Sequence, residues 1–512
     1  MTGGFGQLLR AEWTKFRTVP GWVVALLAGA ALIVGLGLGP SMTGSCGQHG
    51  TDSECVPILG PDGREVSDTF YFVHQSLTGD GSITVRVSSL TGLLPGRPSG
   101  GNPADDRPYE HLRAGVAPWS KAGLILKDGT RPGSTYAAMM VTGEHGTRMQ
   151  YGYTHDIAGP AGTVGWLRLT RTGDTVTGAE SGDGTHWTTV GTAHLAGLPS
   201  TVQVGLFATS PQYAETVSAS FILTGDASGP TRATATFDHL DGQGTWHGPS
   251  PTWTGDQIGG AVNMPPFQRG EFHQNGDAFT VSGSGDIAPS VSGAAGVGTT
   301  VTQTLVGTFI GLILVIVVGA MFITAEYRRG LIRTTLAASP RRGRILAAKA
   351  IVIGTVTYVV GLVAAAVVVT LGQGVLRANG VYVQAAPALT ELRLIAGTAA
   401  LLAVAAVLAV ALGALLRRSA VAVTTVIVVI VLPYLLAISV LPLGAAQWLL
   451  RITPAAAFAI QQSAVRYPQV DNIYSPVDGY FPLAPWTGFG VLCAWTVLAL
   501  AAATIQFRRR DA

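Results

Sequence analysis

Long apolar runs alternate with polar segments along the chain, and six of the runs are long enough to cross a bilayer. A span needs about 20 mostly apolar residues, because the hydrocarbon core is about 30 Å thick. None of the six runs contains a charged side chain. The predicted spans are 21–39, 304–325, 350–371, 394–416, 420–441 and 486–505. The membrane part is therefore predicted to be a polytopic bundle of six transmembrane α-helices within 21–39, 304–325 and 350–507.

Residues 1–20 are predicted to form a short amphipathic helix at the membrane interface. Phe5, Leu8, Leu9, Trp13 and Phe16 recur at helical spacing, and the basic residues lie elsewhere on the helical wheel. A basic flank with incidental apolar residues is the alternative interpretation.

Segment 444–466, between the fifth and sixth spans, is apolar but interrupted. Pro454 and Arg451 fall inside it. We predict a re-entrant or interfacial segment, because a full crossing would place the basic tail 508–512 on the other side of the membrane.

The pattern between 68 and 238 changes to short alternating runs separated by glycine-containing turns, which is typical of β-strands. Examples of these runs are 82–87, 122–126, 136–141, 166–170 and 202–207. Asp-Gly pairs at 128–129 and 183–184 favour hairpin turns. Many regularly spaced strands predict an all-β sandwich inserted between the first two spans, within 40–300. Its last residues, 283–300, are rich in Gly, Ser, Ala and Val and are predicted to be a tether into the second span.

Charge is distributed unevenly and indicates the orientation. Only 12% of the 512 residues are charged, about half the usual fraction, which argues against an ordinary soluble enzyme and against a disordered chain. Segment 40–300 has 13 Lys+Arg and 23 Asp+Glu, whereas the remainder has 19 and 6. Basic residues concentrate before the first span, in 326–349, at 417–418 and in the tail. The positive-inside rule therefore predicts a multi-pass protein of the cell membrane, with both termini cytoplasmic and 40–300 extracellular.

Few residues of the external segment suggest chemistry. Cys46 and Cys55 could close a small loop in an oxidising exterior, and two free thiols are the alternative. Trp119, Trp166, Trp187 and Trp253 could stack on glycan rings, and Trp119 and Trp187 are the predicted glycan contacts; the alternative is that these tryptophans pack in the core or at its rim. No histidine or cysteine spacing predicts a metal site, and no convincing carboxylate pair predicts a glycosidase. No cofactor and no nucleic-acid partner are expected.

The external segment resembles concanavalin-like jelly rolls of the laminin-G type. The resemblance lies in four stretches, at 119–124, 166–169, 181–187 and 204–207. It implies a two-sheet, lectin-like domain, for which cell-wall glycan is a candidate ligand.

Segment 326–349 resembles the cytoplasmic loop of type-2 ATP-binding-cassette (ABC-2) permeases. Glu326-Tyr327 followed by Gly330, then Thr335-Leu336, Pro340-Arg341-Arg342 and Lys349, forms this resemblance. The stretch 12–18, which begins Glu12-Trp13, is similar to the entry helix of that family. The resemblance implies an interface helix that includes Glu12, Trp13, Lys15 and Arg17. It also implies that the contact with an ATPase subunit is carried by Glu326, Arg328, Arg329, Gly330, Arg333, Thr335 and Pro340. The alternative is that the arginines only enforce topology and bind lipid headgroups.

No Gly-x-x-x-x-Gly-Lys-Ser/Thr phosphate loop occurs in the sequence, so ATP hydrolysis is expected in a separate chain. The leading hypothesis is a non-catalytic export permease for an amphiphilic or hydrophobic compound. Its expected partners are a second permease copy, as a homodimer or heterodimer, two separate ATPase subunits, and the lipid bilayer that the permease spans. The alternative is a membrane-anchored protein that binds or senses cell-wall glycan. An anchored carbohydrate-acting enzyme is less favoured, because one span would suffice as an anchor.

Overall fold

A computed structural model of the chain describes residues 4–43, 57–95, 112–160, 165–220, 223–247, 252–260, 266–292, 299–328, 342–472, 474–476 and 478–509. Its α-helices are α1 Phe5–Thr18, α2 Pro20–Thr43, α3 Thr308–Arg328, α4 Arg342–Ala378, α5 Ala388–Leu416, α6 Ser419–Ser439, α7 Leu443–Ile452 and α8 Pro485–Arg509. Short 3₁₀ helices occupy Pro266–Gln268, Val301–Leu305 and Pro454–Gln461.

The strands in the described part of the chain lie between α2 and α3, where the β insertion was predicted. They are β1 Val66–Asp68, β2 Phe70–Pro95, β3 Leu112–Ala114, β4 Lys121–Lys127, β5 Tyr136–Thr142, β6 Thr147–Tyr151, β7 His155–Ala158, β8 Trp166–Thr172, β9 Thr175–Ser181, β10 Thr188–His194, β11 Thr201–Thr209, β12 Tyr213–Ser220, β13 Leu223–Gly229, β14 Arg232–His247, β15 Thr254–Ile258, β16 Glu271–Asn275, β17 Ala278–Gly283 and β18 Ile287–Pro289.

Six helices in the described part of the chain are long and apolar enough to cross a membrane, or seven if one bent helix pair counts as a span. The six overlap the six predicted spans. Close helix packing depends on small residues: a Cβ on Gly37 would lie 2.3 Å from the carbonyl oxygen of Thr304, and one on Gly319 would lie 2.7 Å from that of Ala406. Small residues let helix backbones approach closely in membranes, so a side chain here would separate α2 and α3 from their neighbours.

The bent pair consists of α7 and the 3₁₀ helix Pro454–Gln461, which meet at 100°. The Gln461 amide nitrogen donates to Thr308 Oγ1 of α3 at 3.2 Å and to Thr398 Oγ1 of α5 at 3.0 Å. The buried polar group is thereby satisfied within the bundle. This geometry fits either a broken span or a re-entrant segment, so the re-entrant assignment of 444–466 stays a prediction.

The β domain is a two-layer sandwich whose layers share the long strand β2. The first half of β2 pairs with β11 and β15, and its second half pairs with β8 and β14. The layers continue as β11-β4-β5-β6-β7 on one side and as β8-β9-β10 with β14-β17-β16 on the other. Gly178 of β9 faces the sulfurs of Met139 and Met149 across the core, where a Cβ would lie 2.5 and 2.9 Å from them. All five predicted alternating runs are strands.

The β domain rests on the loops that follow α4 and the bent pair. The Tyr382 hydroxyl donates to the Gly63 carbonyl at 3.2 Å, and the Asn472 amide donates to the Ser292 carbonyl at 2.9 Å. The backbone N–H of Ser292 donates to the Tyr480 hydroxyl at 3.1 Å. Since α3 begins on this side and has 21 residues, its far end lies about 30 Å away at 1.5 Å per residue.

Candidate functional site

Four charged side chains from three helices meet at the end of the bundle that lies far from the β domain. Lys349 Nζ of α4 donates to Glu12 Oε2 of α1 and to Glu326 Oε1 of α3, both at 2.6 Å. Lys15 Nζ of α1 donates to Glu12 Oε1 at 2.8 Å and to Glu326 Oε1 at 3.0 Å. Each lysine therefore bridges both carboxylates. We call Glu12, Lys15, Glu326 and Lys349 the charge tetrad.

Three of the four members are buried. Glu12, Glu326 and Lys349 are 2%, 7% and 0% exposed. The Lys349 ammonium also lies 4.8 Å from the centre of the Phe322 ring. Charges removed from water stay ionised only when they are paired closely, so these short contacts hold the three helix ends in one arrangement.

Lys15 is the partly solvated member of the tetrad. Burial acts to lower the pKa of its ammonium, but the hydrogen bonds and charges of Glu12 and Glu326 outweigh burial and raise it. A lysine with a raised folded-state pKa contributes its stabilisation below its ordinary value of 10.5 and loses it as the pH rises further. Lys15 is therefore charged at neutral pH.

An aromatic cluster supports the tetrad on the apolar side. The Phe16 and Trp22 rings meet Phe322 edge to face, with centroids 6.1 and 5.1 Å apart. Helix α1 buries Glu12 and Phe16, four positions apart, whereas Trp13 is 47% exposed and Arg17 is exposed. The predicted amphipathic helix is present, but its protein-facing side carries a carboxylate as well as apolar groups.

The tetrad brackets segment 329–341, which lies outside the described residues. Glu326 is in the last turn of α3, and Lys349 is in the second turn of α4. The points where the chain leaves α3 and re-enters α4 are therefore both tied to α1. Helix α4 begins eight residues before the predicted span, and this extension carries Lys349 into the protein interior.

The other predicted coupling residues are located as follows. Arg328 ends α3, and its side chain is not among those described. Arg329, Gly330, Arg333, Thr335 and Pro340 lie outside the described residues, so their contact with an ATPase stays a prediction. Cys46 and Cys55 also lie outside the described residues, so their pairing stays open.

The predicted glycan contacts differ in exposure. Trp119 is 5% exposed, and its ring stacks on His145 at 3.9 Å, so little of it is left for a ligand. Trp187 is half-buried: the Arg168 guanidinium lies 3.8 Å from its ring, and its indole N–H donates to the Gly184 carbonyl at 3.1 Å. No group of three or more His, Cys, Asp or Glu among the described residues could hold a metal ion.

A family described as ABC-2 family transporter protein matches residues 191–512, which is more than half of the chain. The chain belongs to this family. The match spans the second part of the β domain and the helices from α3 to α8, including both helices that bracket segment 329–341. The protein is therefore an ABC transporter permease, and membership of the family implies an ATP-binding partner subunit.

Comparison with curated proteins found no match. Two solved structures show a weak likeness to the ABC-2 permease. One, a functionally unknown protein from Saccharomyces cerevisiae, is 13% identical, with a TM-score of 0.18 over 34% of this chain and 75% of that one. The other, SCP-B of the eqolisin family of peptidases in complex with the tripeptide Ala-Ile-His, is 9% identical, with a TM-score of 0.21 over 42% of this chain and 98% of that one. The resemblance of the β domain to concanavalin-like jelly rolls stays a prediction.

Sequence reasoning missed the pairing of Glu12 with Lys349 in the permease. A signal was present: the chain has 32 basic residues but only four lysines, Lys15, Lys121, Lys127 and Lys349. All four are paired with carboxylates, and three are completely buried. A lysine ammonium has three donors and an arginine guanidinium has five, so a small buried site with few acceptors is easier to satisfy with lysine.

Proposed function

We propose that this permease exports an amphiphilic or hydrophobic compound, and that a separate ATPase subunit drives it by binding segment 329–341 on the cytoplasmic side. The charge tetrad carries the proposal. It ties both ends of that segment to the interface helix α1, so a displacement of the segment would move α1, α3 and α4 together.

The tetrad would transmit movement rather than contact the ATPase itself. Glu326 points into the protein and binds two lysines of its own chain, so its role is to position the end of α3. In this proposal, the basic residues of segment 329–341 contact the ATPase subunit. Helix α3 packs closely on α5 through Gly319, which offers a path from the tetrad towards the centre of the bundle.

The chemistry of the helices favours cargo without a strong charge. The six predicted spans contain no Asp, Glu, Lys or Arg. Charged side chains within spans are the usual markers of ion and proton pathways, so an apolar pathway favours lipids or amphiphiles. Six helices form half of a typical pathway, and we propose a second permease copy as the partner across the membrane.

Orientation can be tested with tags. We expect a tag at Gly293 to be reachable by an antibody outside intact cells, and a tag at Gly343 to be reachable only after the membrane is permeabilised, because basic residues concentrate on the side of Gly343. Labelling of Gly343 in intact cells would reverse the topology and remove the proposed ATPase contact.

Glu326→Ala is expected to uncouple the permease without preventing membrane insertion. Glu12 would still hold both lysines, so the bundle should survive while the end of α3 loosens. Coupling changes of about 0.5–2 kcal/mol correspond to an approximately two- to thirtyfold loss. The measurement is the stimulation of ATP hydrolysis when the permease is added to its ATPase subunit.

The matched control is Glu391→Ala, which removes a carboxylate from α5, where it accepts a hydrogen bond from Gln373 at 3.1 Å. Its stimulation should be close to that of the unmodified chain. Equal stimulation by the Glu326→Ala variant, at equal expression, would argue against the coupling role.

A sensing protein is the second candidate, favoured by the contacts of the β domain with the loops at 379–387 and 462–484. Through these contacts a bound ligand could alter the helices. Co-purification distinguishes the two: an ATPase whose hydrolysis rises on assembly supports transport, and a kinase partner supports sensing.

A further inference from the structure

An open groove of about 760 Å³ lies on the β domain, between β14 and the β16–β17 hairpin. It is separate from the charge tetrad and from the predicted glycan contacts Trp119 and Trp187. Its volume is within the range of ligand sites, about 300–1,000 Å³. The groove is therefore large enough for a small ligand, and the residues that line it indicate the class of that ligand.

The floor of the groove is aromatic. Trp253 lies between Trp246, at a centroid distance of 6.4 Å, and Phe279, at 5.9 Å. Phe279 is buried, whereas the two tryptophans are half-buried and present part of their rings to the groove. A register shift in β14 between Asp238 and Asp241 brings His239 and Leu240 to the groove wall.

The rim is polar and exposed. Gln274, Asn275 and Asp277, around the β16–β17 turn, are all exposed and line the groove. The Gln274 amide donates to the Gly276 carbonyl at 3.2 Å. Within the part of the chain that the structure describes, the side chains of Asn275 and Asp277 have no hydrogen-bond partner, so they are available to a ligand.

We propose that this groove binds a neutral oligosaccharide, with sugar rings against Trp246 and Trp253 and hydroxyl groups bound to Asn275 and Asp277. A sugar ring presents an apolar C–H face and a polar edge, which matches an aromatic floor beside amide and carboxylate groups. Partly exposed tryptophans combine an apolar body with a polar tip and suit such a mixed ligand.

Charge and polarity disfavour the other ligand classes. Asp238 is neutralised by Arg86, whose guanidinium donates two hydrogen bonds at 2.6 and 2.8 Å, but Asp277 is unpaired among the described residues. The free carboxylate would repel an anionic polymer. A purely apolar ligand would strip water from the rim without replacing its hydrogen bonds.

The test is binding of the full-length permease, purified in detergent, to neutral chito-, cello- and malto-oligosaccharides by titration calorimetry. Trp253→Ala should weaken the binding of at least one series by about tenfold, since truncating a central aromatic contact has effects of this size. Asn275→Ala should weaken it severalfold, and this exposed residue carries little risk to folding. Trp187→Ala is the matched control and should change the affinity less than twofold.

Each outcome is decisive for the groove. Loss in Trp253→Ala and Asn275→Ala with retention in Trp187→Ala supports it. No binding of any of the three series, or binding lost only in Trp187→Ala, overturns it, as does preferential binding of a peptide or an anionic glycan. These results are independent of ATPase stimulation, so the groove and the transport proposal can fail separately.

Discussion

Lys349→Ala is expected to destabilise the membrane part by about 3–5 kcal/mol, the usual cost of removing one partner from a buried ion pair. Lys349 is completely buried and binds both Glu12 and Glu326 at 2.6 Å. Its loss leaves two buried carboxylates that share only Lys15. The measurement is the thermal unfolding of the purified chain in detergent, together with retention of the ATPase subunit during purification.

Arg344→Ala is the matched control, because it removes one positive charge from an exposed position on the same helix α4. It should have little effect on unfolding. The double variant Glu12→Gln with Lys349→Met should recover part of the loss, since it removes a carboxylate together with its cation. Equal unfolding temperatures for the Lys349→Ala and Arg344→Ala variants would contradict the structural role of the tetrad.

The second large effect is expected in the β domain, where Asp68→Asn should lower its stability by about 3–5 kcal/mol at neutral pH. Lys127 Nζ donates to Asp68 Oδ2 at 2.7 Å, and both side chains are 0% exposed. The ammonium lies about 6 Å from the Phe70, Tyr136 and Tyr153 rings. Without Asp68, this buried cation would have no opposite charge in contact with it.

The pH dependence of the Asp68→Asn variant has a definite sign. Burial lowers the pKa of Lys127, and the charge of Asp68 counteracts part of that effect. Removing Asp68 lowers the folded-state pKa of Lys127 further, so the destabilisation is present at neutral pH and shrinks as the pH rises towards 10.5, the ordinary lysine value. Near-ultraviolet circular dichroism during unfolding at several pH values would measure this trend.

Two variants control for the loss of a carboxylate. Asp62→Asn breaks an exposed ion pair in which Asp62 Oδ2 lies 3.5 Å from Arg64 Nε. This substitution should lower the stability by no more than about 1 kcal/mol. Asp68→Asn combined with Lys127→Met should recover most of the stability, because an apolar side chain suits the aromatic surroundings. A destabilisation that does not change with pH would contradict the assignment to Lys127.

Patterns of local composition predicted most of the architecture. Apolar runs of about 20 residues predicted where the long helices lie, and period-two alternation predicted β2, β4, β5, β8 and β11. These predictions succeed because the length of an apolar run and the alternation of a strand are properties of neighbouring residues. The two layers share β2, and this arrangement depends on pairing between strands that are distant in the sequence. Local sequence patterns therefore did not predict it.

The tetrad could be predicted only in part. Two segments of the sequence resemble ABC-2 permeases. The first contains Glu12 and Lys15, and the second begins with Glu326 and ends with Lys349. Their mutual contact joins positions up to 337 residues apart. The contact arises because α4 begins before its apolar run and brings Lys349 beside Phe322, which a hydropathy boundary does not reveal.

The location of the groove on the β domain was also not predicted from the sequence. Trp253 was one of four tryptophans considered for stacking on sugar rings, and the prediction chose Trp119 and Trp187. Their neighbours separate them: His145 stacks on Trp119 and the Arg168 guanidinium lies over Trp187, whereas Trp253 lines the groove.

The sequence by itself determined that this chain has a membrane bundle with a β insertion, and its motifs indicated the permease family. Tertiary structure decided which charges are buried together and which aromatic rings remain open to a ligand. The physical reason is that hydrophobic patterning acts along the chain, whereas ion pairing and exposure depend on side chains brought together from distant elements.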